Sequence, residues 1–268
     1  MEKLKTEQTS GNEAIISHSD KLVGVFTNPV ETFSKMALLP AQTRDWLIPV
    51  LCVIVFAILS NFLLLRNPII RSQAIEQQMK LIEENFDKAV ESGSISRDVA
   101  DQQLEQIRDN IDTQMQAGMI IQFVATFFIV FIVFFIVSGV FFLIVKFIFK
   151  DTGTYSVSMV AYGLPQYVLI LQIIVIVITA LATDTLLIGT SLATLLKSDT
   201  STLGGFIFSK IDPFRIWFYV IVSIAYAKMF QAKSTVKYLI TIFGLWLGVG
   251  IIIFFISQYI PILRPLAL

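Results

Sequence analysis

The sequence predicts an all-α, polytopic membrane protein: a bundle of five transmembrane helices with an extramembrane helical hairpin between the first two. Three observations predict it. Of 268 residues, 55% are hydrophobic and only 15% charged, where a soluble domain carries about 25% charge. The mean hydropathy is +0.75. The charged residues also leave five windows nearly empty, and a bilayer core of roughly 30 Å needs about 20 apolar helical residues to cross it.

Residues 1–20 form a polar tail without an apolar core, so no cleavable signal peptide is expected and the first span serves as the targeting signal. His18, the single imidazole, is expected to be exposed in that tail. Residues 21–45 read as an interfacial amphipathic helix: Asn28-Pro29 opens a helix in which Phe26, Val30, Phe33 and Met36 share a face that excludes Glu31 and Lys35. That face fits lipid headgroups or a partner protein.

The first span is 46–65. Residues 66–118 follow with two runs of helical period: Ile75, Met79, Ile82, Phe86 and Val90, then Leu104, Ile107, Ile111 and Met115. Gly93 can stop the first helix and Ser96 can cap the second, which makes this segment an antiparallel extracytoplasmic hairpin. It reads as an acidic solvated connector or as a docking surface. Spans two and three are 119–145 and 159–183. The stretch 184–213, too short in its apolar part to cross, is expected to be an interfacial or re-entrant segment on the outer face. Span four, 214–230, carries Arg215 near its start and Lys228 near its end, both placed to snorkel, and begins with an Asp212-Pro213 start signal. Span five is 238–260.

Lys and Arg set the sidedness. The first 45 residues hold Lys3, Lys5, Lys21, Lys35 and Arg44; Lys146 and Lys150 follow span two; and Lys228, Lys233 and Lys237 crowd the link between spans four and five. With five spans these segments share one side, which puts the N-terminus in the cytoplasm and the C-terminus outside. The tail Pro265-Leu266-Ala267-Leu268 offers no prenylation cysteine.

The chemistry is sparse. Twenty basic and twenty acidic residues give a net charge of +0, so nothing points to nucleic acid. One Cys and one His leave no zinc cluster and no internal disulfide. No catalytic or phosphate-cradling motif occurs, so no catalytic, metal or cofactor residue is assigned. Cys52, within span one, reads as a packing residue. Asn61, Gln122, Gln166 and Gln172 are costly in hydrocarbon and are expected to face other helices. Tyr162-Gly163-Leu164-Pro165-Gln166 is placed to kink span three, so Tyr162, Pro165, Gln166 and Gln172 form a candidate lipid or solute groove, with ordinary helix packing as the alternative. Phe26, Phe33, Lys228, Lys233 and Lys237 are candidate partner or lipid contacts. Gly244 and Gly248 make a small-xxx-small face, expected to pack within the bundle in preference to a second copy.

The arrangement resembles the Yip1 domain family, particularly its bacterial branch. Phe26-Thr27-Asn28-Pro29-Val30-Glu31-Thr32-Phe33, followed by Trp46-Leu47-Ile48-Pro49, is similar to that family's proline-containing approach to its first span. Ala161-Tyr162-Gly163-Leu164-Pro165 is similar to its span-three stretch. Ser209-Lys210-Ile211-Asp212-Pro213-Phe214-Arg215-Ile216-Trp217, continuing to Lys233-Ser234-Thr235 and an apolar helix with Trp246, carries the most specific likeness. The resemblance covers 21–256, with 66–118 as an insertion relative to short members. It implies five spans with a cytoplasmic N-terminus. For eukaryotic members it implies vesicle trafficking, binding of small GTPases and association through the membrane domain; the acidic cytoplasmic motifs of that branch are not evident here. The resulting expectation is a non-enzymatic scaffold or adaptor in the membrane, cytoplasmic (inner) if bacterial, contacting lipids and membrane or peripheral proteins, or a second copy. The alternative is a lipid or small-solute transporter. An intramembrane enzyme is third.

Overall fold

The computed structural model describes residues 16–260, with the side chains of 112–117, 119 and 120 set aside. The tail bearing Lys3 and Lys5, the side chain of Met115, and the C-terminal residues with Arg264 lie outside the described residues. Every regular element among those described is helical. Among the described residues, four helices are long and apolar enough to cross a membrane: Thr43–Arg66, Ile121–Phe149, Tyr155–Thr183 and Thr235–Ser257. The fourth predicted span, 17 residues long, is shorter than these four.

α1 (His18–Thr27) and α2 (Pro29–Met36) replace the single amphipathic helix expected before the first span. Ser17 caps α1 in a reciprocal capping box with Asp20. Pro29 starts α2 where Asn28 ends α1, and the Asn28 side chain accepts from Glu31 N. Phe33 and Met36 are buried against the core, Phe33 completely. The large hydrophobic residues that this pair exposes are Val23 and Val30, and Leu38 just past α2 is exposed as well.

α3 (Thr43–Arg66) runs to Asn67, whose side chain accepts from Ile69 and Ile70 N and so starts α4 (Pro68–Glu91). The chain turns at Gly93, at φ 71°, where the left-handed conformation favours glycine. Ser96 then caps α5 (Arg97–Leu143). α4 and the first part of α5 lie antiparallel, pinned by Arg97–Asp87 at 2.6 Å and Arg108–Glu83 at 2.8 Å. At 47 residues α5 is about 70 Å long at 1.5 Å per residue. It enters the apolar stretch unbroken and closes in a π-helical turn, Ile144–Phe149.

α6 (Tyr155–Gly163) and α7 (Tyr167–Thr183) are joined by a 3₁₀ turn at Leu164–Gln166, where Pro165 interrupts the α-helical hydrogen bonding. After Thr183 the chain folds back through α8 (Leu192–Leu195) and α9 (Leu203–Lys210). This return brings Asp212 to Gln172, eleven residues and about 16 Å before the end of α7. Asn67 and Gln73 hold the start of the return: Asn67 Nδ2 donates to Asp184 Oδ1 at 2.7 Å, Gln73 Nε2 donates to Asp184 O, and Gln73 Oε1 accepts from Leu186 N.

α10 (Pro213–Met229) lies at the centre of the assembly, packed on α2, α6, α7 and α11 (Thr235–Ser257). It runs opposite to α6 and α7. Asp212 pairs with Gln172, Tyr226 with Ser158, and Phe230 closes over Gly153. Small residues allow the close approach: Ala161, Gly163, Ala225 and Ala227 are buried. Lipid tails are as apolar as leucine, so van der Waals fit of this kind, more than exclusion from water, holds helices together in a bilayer.

Candidate functional site

The groove expected from Tyr162, Pro165, Gln166 and Gln172 divides. Tyr162, Pro165 and Gln166 are buried in the packed core. A run of aromatic contacts crosses it: Trp46 on Phe134 with ring centres 5.3 Å apart, Phe134 on Tyr162 at 5.7 Å, Tyr162 on Phe218 at 5.7 Å, Phe141 on Tyr226 at 5.3 Å, and Tyr226 stacked on Phe230 at 5.7 Å. The Tyr226 hydroxyl donates to Ser158 O at 3.1 Å, and the Ser158 hydroxyl donates to Ser138 O at 2.7 Å, which ties α10 to α6 and α6 to α5 inside the seam. These three groove candidates are core residues because Gly163, one position from Tyr162, brings α6 against Trp46.

Gln172, the fourth, lines a cavity. This cleft, of about 650 Å³, lies between the start of α4, the middle of α7 and the returning segment. Its lining is partly polar, with Gln73, Gln77, Thr194, Ser198 and Ser209, and partly aliphatic, with Ile173, Ile176, Leu186, Leu187 and Ile188. Asp212 also lines it and is 3% exposed. Its Oδ1 accepts from Phe214 and Arg215 N, capping α10, and its Oδ2 accepts from Gln172 Nε2 at 3.0 Å and Thr190 Oγ1 at 2.8 Å. Arg215 and Lys197 line the same cavity and are both exposed. Beside it, burial pushes the Lys210 ammonium down to about 8, with the Arg215 charge acting in the same sense. Lys210 lies over the rings of Phe206 and Trp246 at 5.1 and 5.6 Å. Sequence reasoning singled out Gln172 but missed Asp212 and Thr190 as its partners, because they stand 40 and 18 positions away.

A second polar cluster docks α1 on the bundle. Lys21 Nζ donates to Asp45 Oδ2 at 2.6 Å, with side chains 3% and 2% exposed. His18 is not exposed in a polar tail as expected: its Nε2 is 2.7 Å from the Tyr167 hydroxyl and its Nδ1 is 3.4 Å from Asp45 Oδ1. Local polarity hid this, because the packing partner is 149 positions away.

The contact candidates also separate. Phe33 is completely buried and Phe26 half-buried, its ring edge-to-face with Trp217 at 5.6 Å. Both aromatics are absorbed by the fold because their face meets α10 instead of a membrane surface. Lys233 is exposed and Lys228 partly so. Lys237 donates to Asp151 Oδ2 at 2.8 Å, and the Tyr238 hydroxyl donates to the same oxygen at 2.6 Å. Burial pushes the Asp151 carboxyl up, but these two bonds and the Lys237 charge outweigh it and hold the group below its usual range. A carboxyl depressed only in the folded state stabilises the fold above its unfolded titration and loses that contribution as pH falls through the folded value. The thermal midpoint of the purified chain is therefore expected to fall from about pH 5 downward, and the part of that fall due to this site is expected to vanish in Asp151→Asn.

Gly244 and Gly248 were expected to pack within the bundle. A Cβ built on either meets no atom of the described residues within 4 Å. The face is open because α10 packs on the other side of α11, through Tyr219 on Trp246 with ring centres 4.7 Å apart. Alanine at both positions is expected to raise thermal stability slightly, by roughly 0.5–1 kcal/mol per site from helix propensity, as measured by unfolding in detergent.

Four apolar helices of crossing length, gathered around a packed helical core, define a multi-pass integral membrane protein. The Yip1 domain family model matches residues 23–257, nearly the whole chain, and the protein belongs to that family. No curated protein and no solved structure matches the chain.

Proposed function

We propose that this protein is a non-enzymatic membrane scaffold of Yip1 type, which organises protein partners or lipids in the bilayer. The observation that carries the reading is the aromatic seam through Trp46, Phe134, Tyr162, Phe141, Tyr226 and Phe230. Tyr162, Pro165 and Gln166, three of the four groove candidates, are committed to packing, which favours a structural platform over a permease. Membership of a family not known as enzymatic points the same way.

The proposed topology has five crossings, with α10 as the fourth. At 17 residues it is about 25 Å long, short of the average hydrocarbon core, but its neighbours cover it and Arg215 and Lys228 stand near its ends. The N-terminus then lies in the cytoplasm and the C-terminus outside. The antiparallel pair of α4 and the first part of α5 stands outside the membrane, as its ion pairs and acidic surface suit.

Crosslinking in native membranes, mild solubilisation and mass spectrometry of what co-purifies test the scaffold. Protein partners in fixed ratio, reduced by Lys233→Glu or by Gly244→Ile with Gly248→Ile while the thermal midpoint does not fall, are the expected result. Absence of any stoichiometric partner or second copy, together with solute flux in reconstituted vesicles, would replace the scaffold by the transporter.

A further inference from the structure

We propose that the cavity between α4, α7 and the returning segment binds the anionic head of a membrane phospholipid, with Arg215 as the phosphate contact. This goes beyond the scaffold reading and stands whether or not protein partners are found.

Its volume of about 650 Å³ falls within the roughly 300–1,000 Å³ of small-molecule sites. The charge of the lining favours an anion. Asp212 is the one carboxylate among the lining residues, and internal donors occupy both of its oxygens, so it offers a ligand nothing. Arg215 and Lys197 remain, and neither has an ion-pair partner among the described residues. A guanidinium presents a planar fork of donors that matches phosphate oxygens, and it stands here beside hydroxyl-bearing side chains.

The aliphatic part of the lining argues for an attached chain. Ile173 and Ile176 are partly exposed on a membrane-crossing helix, and Leu186 and Leu187 continue their surface on the return segment. A free anion would leave these aliphatic side chains uncovered, and a zwitterionic lipid would bring an ammonium group to Arg215 and Lys197 along with its phosphate. An anionic phospholipid satisfies both.

The test uses the full chain, delipidated in neutral detergent and offered phosphatidylglycerol or phosphatidylcholine of matched acyl chains, with retained lipid read by native mass spectrometry. Phosphatidylglycerol is expected to be favoured by about tenfold or more, the scale of a charge-assisted contact. Arg215→Gln is expected to abolish that preference, Arg215→Lys to keep part of it, and Arg44→Gln, at an exposed position on α3, to leave it intact. Ile176→Trp, which fills the cavity without touching the charge, is expected to reduce retention of phosphatidylglycerol to a similar degree; it decides the question alone should Arg215→Gln not fold. Equal retention of the two lipids, wild-type binding in both Arg215→Gln and Ile176→Trp, or displacement of phosphatidylglycerol by an equal concentration of inorganic phosphate would each overturn the proposal, the last by showing a site for free anions.

Discussion

Asp45→Ala is expected to cost about 3–5 kcal/mol of stability, the scale for removing one partner of a buried ion pair. The Lys21 ammonium lies 2.6 Å from Asp45 with both side chains nearly inaccessible, so truncation leaves a positive charge in a site that water does not reach. His18 loses its neighbour on Nδ1 in the same step. The loss is expected to detach α1 from the start of α3 before the rest of the bundle unfolds, seen as faster proteolysis near residue 20 and a lower thermal midpoint. The double variant Lys21→Met with Asp45→Leu is the control. Replacing both charges by apolar groups of similar size is often neutral, so it is expected to recover most of the loss. A double variant as unstable as Asp45→Ala would show instead that the pair itself holds α1 in place.

Gly163→Val is expected to be comparably damaging for a steric reason. A Cβ at Gly163 would sit 2.5 Å from Trp46 Cβ and 2.7 Å from its Cα, and the Cα cannot swing away as the end of a side chain can. The α3–α6 crossing must open, which disturbs Trp46 on Phe134 and, beyond it, Tyr162. Overpacking typically costs about 1–3 kcal/mol and occasionally more. Gly163→Ala is expected within that range and Gly163→Val above it, measured as loss of monodisperse protein on mild heating in detergent. A stable Gly163→Val would mean that the two helices do not meet at this crossing.

Much of the fold was legible because its signals are local. The charge-free windows mark the four long apolar helices, since a single charge in hydrocarbon is costly wherever the helix sits. Asn28-Pro29 and Asp212-Pro213 announce helix starts, and both side chains accept from backbone N–H groups as caps. Gly93 and Ser96 mark the turn between α4 and α5 for the same reason.

The candidate site was legible only in part. Gln172 stood out because an amide among apolar residues needs a partner, yet nothing local says that the partners are Asp212 and Thr190. Phe33 was read as a partner or lipid contact, and it is buried where α2 packs on α10. Gly244 and Gly248 were read as packed, and they are open. In a soluble protein polarity separates the core face of a helix from its surface face, but in a membrane both faces are apolar and the contrast is lost.

By itself, then, the sequence determined that this chain is a multi-pass membrane protein, that four of its apolar stretches are long helices, and to which family it belongs. Only the tertiary structure decided that His18, Lys21, Asp45 and Tyr167 form one cluster and that residues 184–212 return to the middle of α7. It alone also decided that Arg215 stands over a cavity instead of a plain lipid surface. Hydropathy and capping depend on neighbours a few positions away, whereas these contacts join residues up to 149 positions apart, and their geometry is set by the angles at which packed helices cross.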